Sequence, residues 1–594
     1  MFDFQKLSGE QRLFVEYAMN GRNVLVDACI GSGKTTAIQA LCALARSKHV
    51  LYLTYNKLLK LDAISRIRNP HVTVTNHHGF AWSELNRVGI HPGLSELIQV
   101  YNKKRPKPSQ NWDVLVLDEY QDIDQEISEM LWHIKKSLPS IQIIAVGDMA
   151  QKIYDKTRLD VQSFISKFLG DYIPMEFTLC FRLGKEHAAM LGRIWKKKIV
   201  GVNEDFEISY MPKDGIVQYA ATLKPEELLV LGSKSGEAAK LQNHLETYCA
   251  DTFNKHTLWS KVANMSATSP TPECAIFTTY DGCKGMERDV CIVYDWTSVY
   301  WQIRLAKPDT KYEILRNVFC VAASRGKRRI IIAYEGDEQL SEDDLLSDEV
   351  THMKMTDTPI SEMFDYKFVE DVEKAYGHLD VTEVQPAGQP IEVPLNDALI
   401  DLSSPIAHYQ KAMFFKNYDI DEEIEYYAQM SDRNFLRRQY AKYDLDKKLL
   451  YLAALETKQL RYLNQVYKLP ISGNNEALLK ERLSTMFSAE EKVQCPCYVE
   501  FYKRGQLAFS TTGIADVVTS DYVWKLGFQS AISHVDILQL AMHMAGLKRN
   551  VGRIWNIRTN QMFEVRIRDK VSFLDAVARA TTKGRLKRWG GDEA

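Results

Sequence analysis

The sequence predicts an α/β protein with two parallel-sheet domains, followed by a helical region and a C-terminal mixed α/β domain. Short apolar segments such as "VLYLTY" and "DVCIVYDW" alternate with helical patterns as far as Glu335. Strands that are apolar along their whole length are typical of parallel sheets with both faces covered. The segments fall into two groups divided near Tyr172, and 594 residues are too many for a single core. We therefore expect two such sheets.

Composition marks the remaining divisions of the chain. The acidic stretch Glu335–Val350 closes the second group of strands, and the proline-rich segment Glu383–Pro394 has the character of a linker. Long helical patterns continue to Ser488, and a mixed α/β segment follows. The expected domains are two sheet domains at 1–172 and 173–350, a linker and helical region at 351–450, a helical hairpin at 451–488 and a mixed domain at 489–594.

The composition is that of a globular protein, with 45% hydrophobic and 26% charged residues. A net charge of -2 excludes an overall polycation but allows a local basic groove for nucleic acid. No apolar run reaches the roughly 18 residues that span a bilayer, so no membrane partner is expected. The N-terminus shows no signal-peptide pattern, and cysteines within apolar strands indicate reduced thiols. We expect an intracellular protein, in the cytoplasm of a prokaryote or of an infected cell, or in a nucleus.

The segment "ACIGSGKTT" follows an apolar strand and opens a helix, which is the arrangement of a phosphate-binding P-loop with Ala28 in place of its first glycine. Glycines in the loop let the backbone wrap phosphate oxygens, and the helix dipole adds positive potential. We expect Lys34 to reach the β- and γ-phosphates of ATP and the hydroxyl of Thr35 to bind Mg²⁺. The predicted nucleotide-binding loop consists of Gly31, Ser32, Gly33, Lys34, Thr35 and Thr36.

The segment "VLVLDEYQD" supplies the acidic residues that ATP hydrolysis requires. Asp118 ends an apolar strand, where a carboxylate can bind Mg²⁺ together with Thr35. Glu119 is next in the chain and can orient or deprotonate the attacking water. Together with the P-loop, this pair predicts an ATP hydrolase that uses Mg²⁺.

"DEYQD" resembles motif II of superfamily 1 helicases of the UvrD/Rep branch, a group that includes the F-box DNA helicases. Seven further segments resemble motifs of that family and follow in the family's order: "LSGEQRLFV", "LTYNK", "TNHHGFAW", "AVGDMAQKIY", "LCFRL", "TTYDGCKGMERD" and "VAASRGKRR". The resemblance implies two RecA-like domains and movement along single-stranded DNA in the 3′ to 5′ direction. Only 84 positions separate Lys34 from Asp118, so any family insertion there must be reduced.

The resemblance also implies roles around the nucleotide. Gln11 would read the adenine, Phe181 would stack on it, and Gly285 with Glu287 would contact the nucleotide, Glu287 at its sugar. Around the γ-phosphate, the family pattern places Gln151, Arg182 and the arginine finger Arg325. An arginine so distant from the P-loop in the sequence implies that ATP lies between two domains, whose closing and opening can drive translocation.

For DNA, the resemblance implies contacts in the first and second sheet domains, made by Thr54, Asn56, His78, Phe80, Tyr154 and Thr279. Three departures affect these contacts rather than the ATP site. The loop after Tyr154 reads "DKTRLD" in place of an aromatic and R-G-A, Asp281 stands where histidine is frequent, and Asn76 stands where threonine is usual.

The segment Ala454–Phe487 predicts two amphipathic helices around a Pro/Gly turn, with Asn474 or Asn475 as the N-cap of the second helix. It resembles a SAP motif, a small DNA-binding helical unit. The resemblance makes four basic residues candidate phosphate contacts, namely Lys458, Arg461, Lys468 and Lys480. An ordinary helical hairpin with solvated lysines is the alternative.

The C-terminal segment resembles the core of PD-(D/E)XK nucleases associated with helicases. Asp516 matches the first metal-binding carboxylate, and Gln539 matches the helix glutamine. Lys525 takes the place of the second acid, and Gly527 takes the place of the lysine. With one carboxylate left, the resemblance implies a nuclease-like fold that does not cut. An unrelated α/β domain is the alternative.

The leading hypothesis is an ATP-dependent single-stranded DNA translocase and helicase that acts on single strands and tailed duplexes. A protein partner at the C-terminal domain, a role in DNA repair and RNA as the track all stay open. The alternatives are a helicase-nuclease that cuts DNA and a translocase that strips proteins from single strands without processive unwinding.

Overall fold

The computed structural model describes residues 4–55, 57–67, 69–92, 97–153, 156–233, 236–262, 269–298, 300–301, 312–346, 357–365, 367–392, 399–430, 440–471 and 473–590. Three large sheets organise this part of the chain. No helix within these ranges is both long and apolar enough to cross a membrane.

The first lobe is a six-stranded parallel sheet in the order β3-β2-β4-β5-β1-β6. Its strands are β1 (Val24–Ala28), β2 (Val50–Thr54), β3 (Val72–Asn76), β4 (Val114–Asp118), β5 (Gln142–Gly147) and β6 (Ile173–Phe177). Its helices are α1 (Gly9–Met19), α2 (Lys34–Leu44), α3 (Lys57–Arg66), α4 (His77–Arg87), α5 (Leu97–Lys104), α6 (Gln125–Ser137) and α7 (Val161–Leu169). Separate apolar clusters on the two faces bury β2, β4 and β5 along their whole length.

The second lobe contains a six-stranded parallel sheet in the order β11-β12-β10-β13-β14-β9, with the small pair β7-β8 beside it. Its strands are β7 (Leu179–Cys180), β8 (Val200–Gly201), β9 (Glu207–Pro212), β10 (Leu228–Gly232), β11 (Leu258–Ser260), β12 (Ala275–Thr279), β13 (Arg288–Val293) and β14 (Gly326–Tyr334). Its helices are α8 (Lys185–Trp195), α9 (Lys213–Ala220), α10 (Glu237–Tyr248), α11 (Tyr312–Ala322) and α12 (Glu342–Leu346).

The remaining chain forms a helical region and a seven-stranded mixed sheet in the order β15-β18-β19-β20-β21-β16, with β17 paired to β18. The strands are β15 (Thr358–Pro359), β16 (Leu379–Gln385), β17 (Lys492–Lys503), β18 (Gln506–Val518), β19 (Val523–Gly527), β20 (Val551–Asn556) and β21 (Gln561–Ile567). The helices are α13 (Val369–Tyr376), α14 (Ser403–Phe414), α15 (Ile420–Met430), α16 (Leu445–Thr457), α17 (Arg461–Asn464), α18 (Gly473–Met486), α19 (His534–Gly546) and α20 (Lys570–Thr581).

The predicted fold class is confirmed: two RecA-like parallel-sheet α/β domains precede a helical region and a mixed α/β domain. Two details differ from the expected divisions. The division at residue 172 comes one strand too early, because β6 pairs with β1 of the first sheet. The range 351–450 is more than linker and helices, because β15 and β16 join the C-terminal sheet. Neither strand has the long apolar run that marks a buried strand in the sequence.

The predicted hairpin of residues 451–488 also differs in detail. Its first helix is divided into α16 and the short α17, and α18 begins at Gly473, before the predicted N-cap asparagines. The apolar residues Val466, Leu479 and Leu483 do pack in one cluster, as their helical spacing predicts. The cluster also includes Trp524 and Trp555 of the mixed sheet, so the hairpin is part of a larger core.

The C-terminal region contacts both lobes. At the second lobe, the guanidinium of Arg461 lies 2.5 Å from Glu246 of α10, and both side chains are buried. At the first lobe, Arg158 pairs with Asp371 of α13 at 2.5 Å, and Thr157 donates a hydrogen bond to Glu370. Arg461 is thus a structural ion-pair partner in this structure, which corrects its assignment as a phosphate contact: a fully buried guanidinium cannot meet DNA.

Candidate nucleotide site

The P-loop has the backbone that a phosphate cradle requires. Gly31 and Gly33 adopt φ of 66° and 76°, in the left-handed region that favours glycine. A Cβ at Gly31 would lie 2.7 Å from the Cβ of Arg182, and one at Gly33 would lie 2.6 Å from Nε2 of Gln11. Both glycines are therefore required by close approach as well as by conformation. Thr35 and Thr36 continue α2 directly after Lys34.

The structure brings Lys34, at the start of α2, close to the acidic residues at the end of β4, as the sequence predicts. Nζ of Lys34 lies 3.1 Å from Oε1 of Glu119. Asp118 accepts a hydrogen bond of 2.8 Å from the hydroxyl of Tyr52, and its second oxygen, Oδ1, has no hydrogen-bond partner within the described ranges. Burial raises the pKa of Asp118, and the neighbouring Glu119 raises it further.

These residues fit a bound Mg²⁺. The buried, unpartnered Oδ1 of Asp118 and the hydroxyl of Thr35 are oxygen donors, which Mg²⁺ prefers. A second buried oxygen without a partner in the described chain is Oγ of Ser32, inside the loop itself. These oxygen atoms therefore suit the binding of a metal ion together with a phosphate, for which a purely structural turn would have no use.

Glu119 is held in an uncommon conformation. Its φ of 57° and ψ of 46° are left-handed, which non-glycine residues adopt chiefly where the surroundings enforce it. The side-chain amide of Gln121 donates to Oε2 of Glu119. Burial alone would raise the pKa of Glu119, but Lys34 and Lys284 lower it below its usual range. Glu119 is therefore an oriented carboxylate that is ionised at neutral pH.

The second lobe reaches this carboxylate through Lys284. Its ammonium group lies 3.9 Å from Oε2 of Glu119, forms a close ion pair with Asp122 and contacts the carbonyl of Gln151 at 3.5 Å. Sequence reasoning did not assign Lys284, although it lies in the segment "DGCKGMERD". The available signal was only its place in that segment, directly before Gly285.

The predicted arginines Arg182 and Arg325 both belong to the second lobe. Arg325 is buried, donating from Nε to the carbonyl of Val321 at 2.7 Å and from Nη2 to Oγ of Ser324 at 3.3 Å. Burial lowers the pKa of Arg325 and neighbouring Arg182 adds to this, while Glu119 is among the acids that oppose the shift. The hydrogen bonds of Arg325 in this structure thus hold its guanidinium against Val321 and Ser324 of its own lobe.

Arg182 and Glu287 also come together. Arg182 forms a close ion pair with Glu287 and donates to the carbonyl of Ser324 at 3.3 Å. Lys327 lies 3.3 Å from the other oxygen of Glu287. Burial alone would raise the pKa of Glu287, but Arg182 and Lys327 lower it. Arg182, Glu287 and Lys327 therefore form one charged cluster.

Gln11 and Phe181 approach the P-loop from different elements. Gln11 follows the N-cap Ser8 in a capping box and donates from Nε2 to the carbonyl of Ser32 at 2.9 Å. Its amide therefore shapes the loop. The backbone N–H of Phe181 donates to the carbonyl of Gly31 at 2.9 Å, and its ring is 46% exposed. An exposed ring beside the loop is suited to stacking on a base.

The DNA contacts expected in the first lobe are only partly on the surface. Phe80 is buried against Tyr101 and Trp112, with ring centroids 5.8 and 5.6 Å away. It is a core residue, which corrects its assignment as a DNA contact; its helix turns this face inward. Thr54 is likewise fully buried at the end of β2, whereas His78 is exposed.

The other expected DNA contacts are mixed. Thr279 is half-buried, and its hydroxyl accepts from the N–H of Gly282 at 3.3 Å. Lys458 directly follows α16, and its carbonyl oxygen accepts a hydrogen bond of 3.0 Å from the side-chain amide of Asn243. Lys468 is exposed. Asn56 and Tyr154 lie outside the described residues.

The residues compared with a nuclease core in the sequence lie in β18, β19 and α19 of the C-terminal region. Lys525 of β19 contacts Gln539 of α19, and the N–H of Leu526 donates to Asp516 at 2.9 Å. Sequence reasoning missed Lys411, whose ammonium lies 3.2 Å from Asp516 and 3.7 Å from Glu423. A buried lysine is therefore the ion-pair partner of Asp516.

The comparison with protein families finds a match within the first lobe. Residues 11–157 match the AAA domain family. No curated protein is significantly similar to the chain. These matched residues include the P-loop, Asp118 and Gln151, so the first lobe is a P-loop nucleotide-binding domain.

Among solved structures, an arterivirus nonstructural protein 10 helicase is 13% identical, with a TM-score of 0.29 over 57% of this chain and 64% of that one. The DUF1998 helicase MrfA, bound to DNA and AMPPNP, is 11% identical, with a TM-score of 0.35 over 56% of this chain and 48% of its own. A Pif1 helicase structure at forked double-stranded DNA is 13% identical, with a TM-score of 0.32 over 58% and 94% of the two chains. This chain therefore spans less than two thirds of the first two proteins.

Proposed function

We propose that this protein is an ATP-dependent single-stranded DNA translocase and DNA helicase of the UvrD/Rep branch of superfamily 1, moving 3′ to 5′. One observation carries the proposal. Glu119 is paired with Lys34 of the P-loop, and Nζ of Lys284 from the other lobe lies 3.9 Å from the same carboxylate. A nucleotide bound there would contact both lobes, so its hydrolysis would change how they are held together.

The side chains suggest how hydrolysis proceeds. An incoming γ-phosphate competes with Glu119 for Lys34 and releases the carboxylate to accept a hydrogen bond from the attacking water. Thr35 and Asp118 would hold Mg²⁺, which neutralises charge on the phosphate oxygens. Arg325 and Arg182, already desolvated at the cleft, stabilise the charge that develops on the transferred phosphoryl group.

Two variants test the ATPase. Lys34→Ala should abolish hydrolysis while the protein stays folded. Arg325→Ala should lower turnover by about 10³-fold with little loss of ATP binding, because an arginine finger acts on the transition state. Arg328→Ala is the matched control, since Arg328 lies three residues further along the chain, in β14, and has a 70% exposed side chain. DNA-stimulated turnover in Lys34→Ala would refute the proposal.

Direction and track require a second experiment. Unwinding and ATPase rates are compared on 3′-tailed, 5′-tailed and blunt duplexes, in DNA and in RNA. The proposal expects unwinding of 3′-tailed DNA; a preference for 5′ tails refutes the polarity, and a preference for RNA refutes the track. Strong ATPase stimulation without strand separation would favour a translocase that strips proteins from single strands.

For the C-terminal region we propose a SAP-like hairpin and a PD-(D/E)XK-like domain that does not cut DNA and instead contacts DNA or a protein partner. The ammonium of Lys411 beside Asp516 supports this, because it satisfies the carboxylate that a metal would need. Cutting in Mg²⁺ or Mn²⁺ that disappears in Asp516→Ala would favour the helicase-nuclease alternative. An intracellular location, in a prokaryote, an infected cell or a nucleus, is part of the same proposal.

A further inference from the structure

Lys197 belongs to the second lobe, and its side chain contacts the first lobe. It follows α8, whose inner face is fixed in the second lobe by a 3.0 Å hydrogen bond from Trp195 to Asn317 of α11. From there its ammonium lies 2.6 Å from Oδ1 of Asp27 in β1 and 2.8 Å from Oδ1 of Asp148 after β5. None of the sequence motifs includes Lys197.

The backbone explains why this lysine points inward. The N–H of Lys197 donates to the carbonyl of Gly192 at 2.9 Å, and a Cβ at Gly192 would lie 2.8 Å from the carbonyl oxygen of Lys197. The tight turn therefore fixes the direction of the side chain. Lys197 is 16% exposed at its side chain, whereas its neighbour Lys198 is exposed.

Asp148 connects Lys197 to two residues of the candidate ATP site. Its second oxygen, Oδ2, accepts from Nε2 of Gln151 at 2.8 Å. Its N–H donates to Oε1 of Gln121 at 3.0 Å, and the amide of Gln121 donates to Glu119. Lys197 thus stands at the end of a continuous set of polar contacts that leads to both Gln151 and Glu119.

The charges favour this arrangement. Asp148 is buried, and a buried carboxylate without a cation is costly. Burial alone would lower the pKa of Lys197, but Asp148 and Asp27 raise it above its usual value. Lys197 is therefore charged at neutral pH and holds Asp148 with one oxygen, which leaves the other oxygen to fix the amide of Gln151.

We propose that Lys197 is a positioning residue for ATP hydrolysis: from the second lobe it fixes Asp148, and through it Gln151 and Glu119, relative to the bound phosphate. This inference rests on the proposed ATPase. A small displacement of reacting groups costs about 10²-fold in rate. We therefore expect the loss of Lys197 to lower kcat rather than ATP affinity.

The experiment compares Lys197→Met, Lys197→Arg and the neighbouring control Lys198→Met in the full-length protein. Turnover is measured with saturating single-stranded DNA, and ATP affinity is measured by fluorescent-nucleotide titration. Lys197→Met should lower kcat about 10- to 100-fold with less than about 3-fold change in affinity. Lys197→Arg should recover part of the loss, and Lys198→Met should behave as wild type. A parallel loss of affinity and thermal stability without rescue by arginine overturns the proposal, because it indicates only a structural role.

A double variant tests the route through Asp148, which the contacts to Gln151 and Glu119 share. If Lys197 acts through that residue, Lys197→Met should add little to the loss caused by Asp148→Ala, whereas independent effects would multiply. Multiplying effects overturn the proposal. The wild type separates the two levels of inference: ATP binding without hydrolysis refutes the proposed function and this role with it, whereas an active wild type with an equally active Lys197→Met refutes this role alone.

Discussion

Arg461→Ala should destabilise the junction between the second lobe and the C-terminal region. Nε of Arg461 lies 3.1 Å from both carboxylate oxygens of Glu246, and Nη2 donates to the carbonyl of Leu258 at 3.2 Å. The two side chains are 0% and 1% exposed. Truncation leaves a buried carboxylate whose remaining hydrogen-bond donor is Gln242 at 3.0 Å. Breaking such a pair costs about 3–5 kcal/mol.

Hydrogen exchange measures this loss locally, which suits a protein of several domains. A cost of about 3 kcal/mol corresponds to about 150-fold faster exchange in peptides from α10 and β11. Arg568→Ala is the control, because its 2.6 Å pair with Asp380 has side chains 55% and 54% exposed and should be worth less than about 1 kcal/mol. The double variant Glu246→Gln/Arg461→Met should recover part of the loss. Equal exchange in Arg461→Ala and Arg568→Ala would refute the reasoning.

Two further predictions concern buried groups. Burial alone would lower the pKa of His408, but Glu456, at 3.0 Å, and Glu423 raise it from 6.5 to about 9 against the opposing charge of Lys411. Protonated His408 should therefore contribute about 3 kcal/mol to the free energy of unfolding below pH 6.5. This contribution should be lost as the pH rises through about 9. Urea titrations from pH 6 to 10 should show the decline in wild type but not in His408→Gln. Phe80→Ala should cost about 3–5 kcal/mol of stability with unchanged DNA affinity per folded molecule, whereas exposed His78→Ala should leave stability unchanged. Weaker DNA binding by folded Phe80→Ala at full stability would restore Phe80 as a DNA contact.

The sequence predicts the two parallel sheets and the convergence of Lys34 with Glu119 because both depend on local signals. Apolar strands, turn glycines and acids at strand ends are properties of short segments. Phe80 shows the limit of such signals: a motif match cannot tell which face of an amphipathic helix carries a given residue. Its burial depends on Tyr101 and Trp112 from elsewhere in the lobe.

Long-range ion pairs were beyond sequence reasoning for a different reason. Arg461 and Glu246 are 215 residues apart, and Lys197 and Asp27 are 170 apart. In the sequence each is one charge among many, and solvent exposure is the usual state of a charged side chain. Only the packing of lobes identifies the few charges that are desolvated and paired.

The attachment of the C-terminal region to both lobes has a mechanical consequence. The region is attached to each lobe by an ion pair, and the two attachments differ in exposure. At the second-lobe end Arg461 is fully buried, whereas at the first-lobe end the side chain of Arg158 is 37% exposed. Opening the first-lobe end leaves Arg158 in water and strands one buried carboxylate, Asp371, whereas opening the second-lobe end strands two buried charges. If the lobes separate, the Arg158–Asp371 end therefore yields first, and the C-terminal sheet travels with the second lobe as one body.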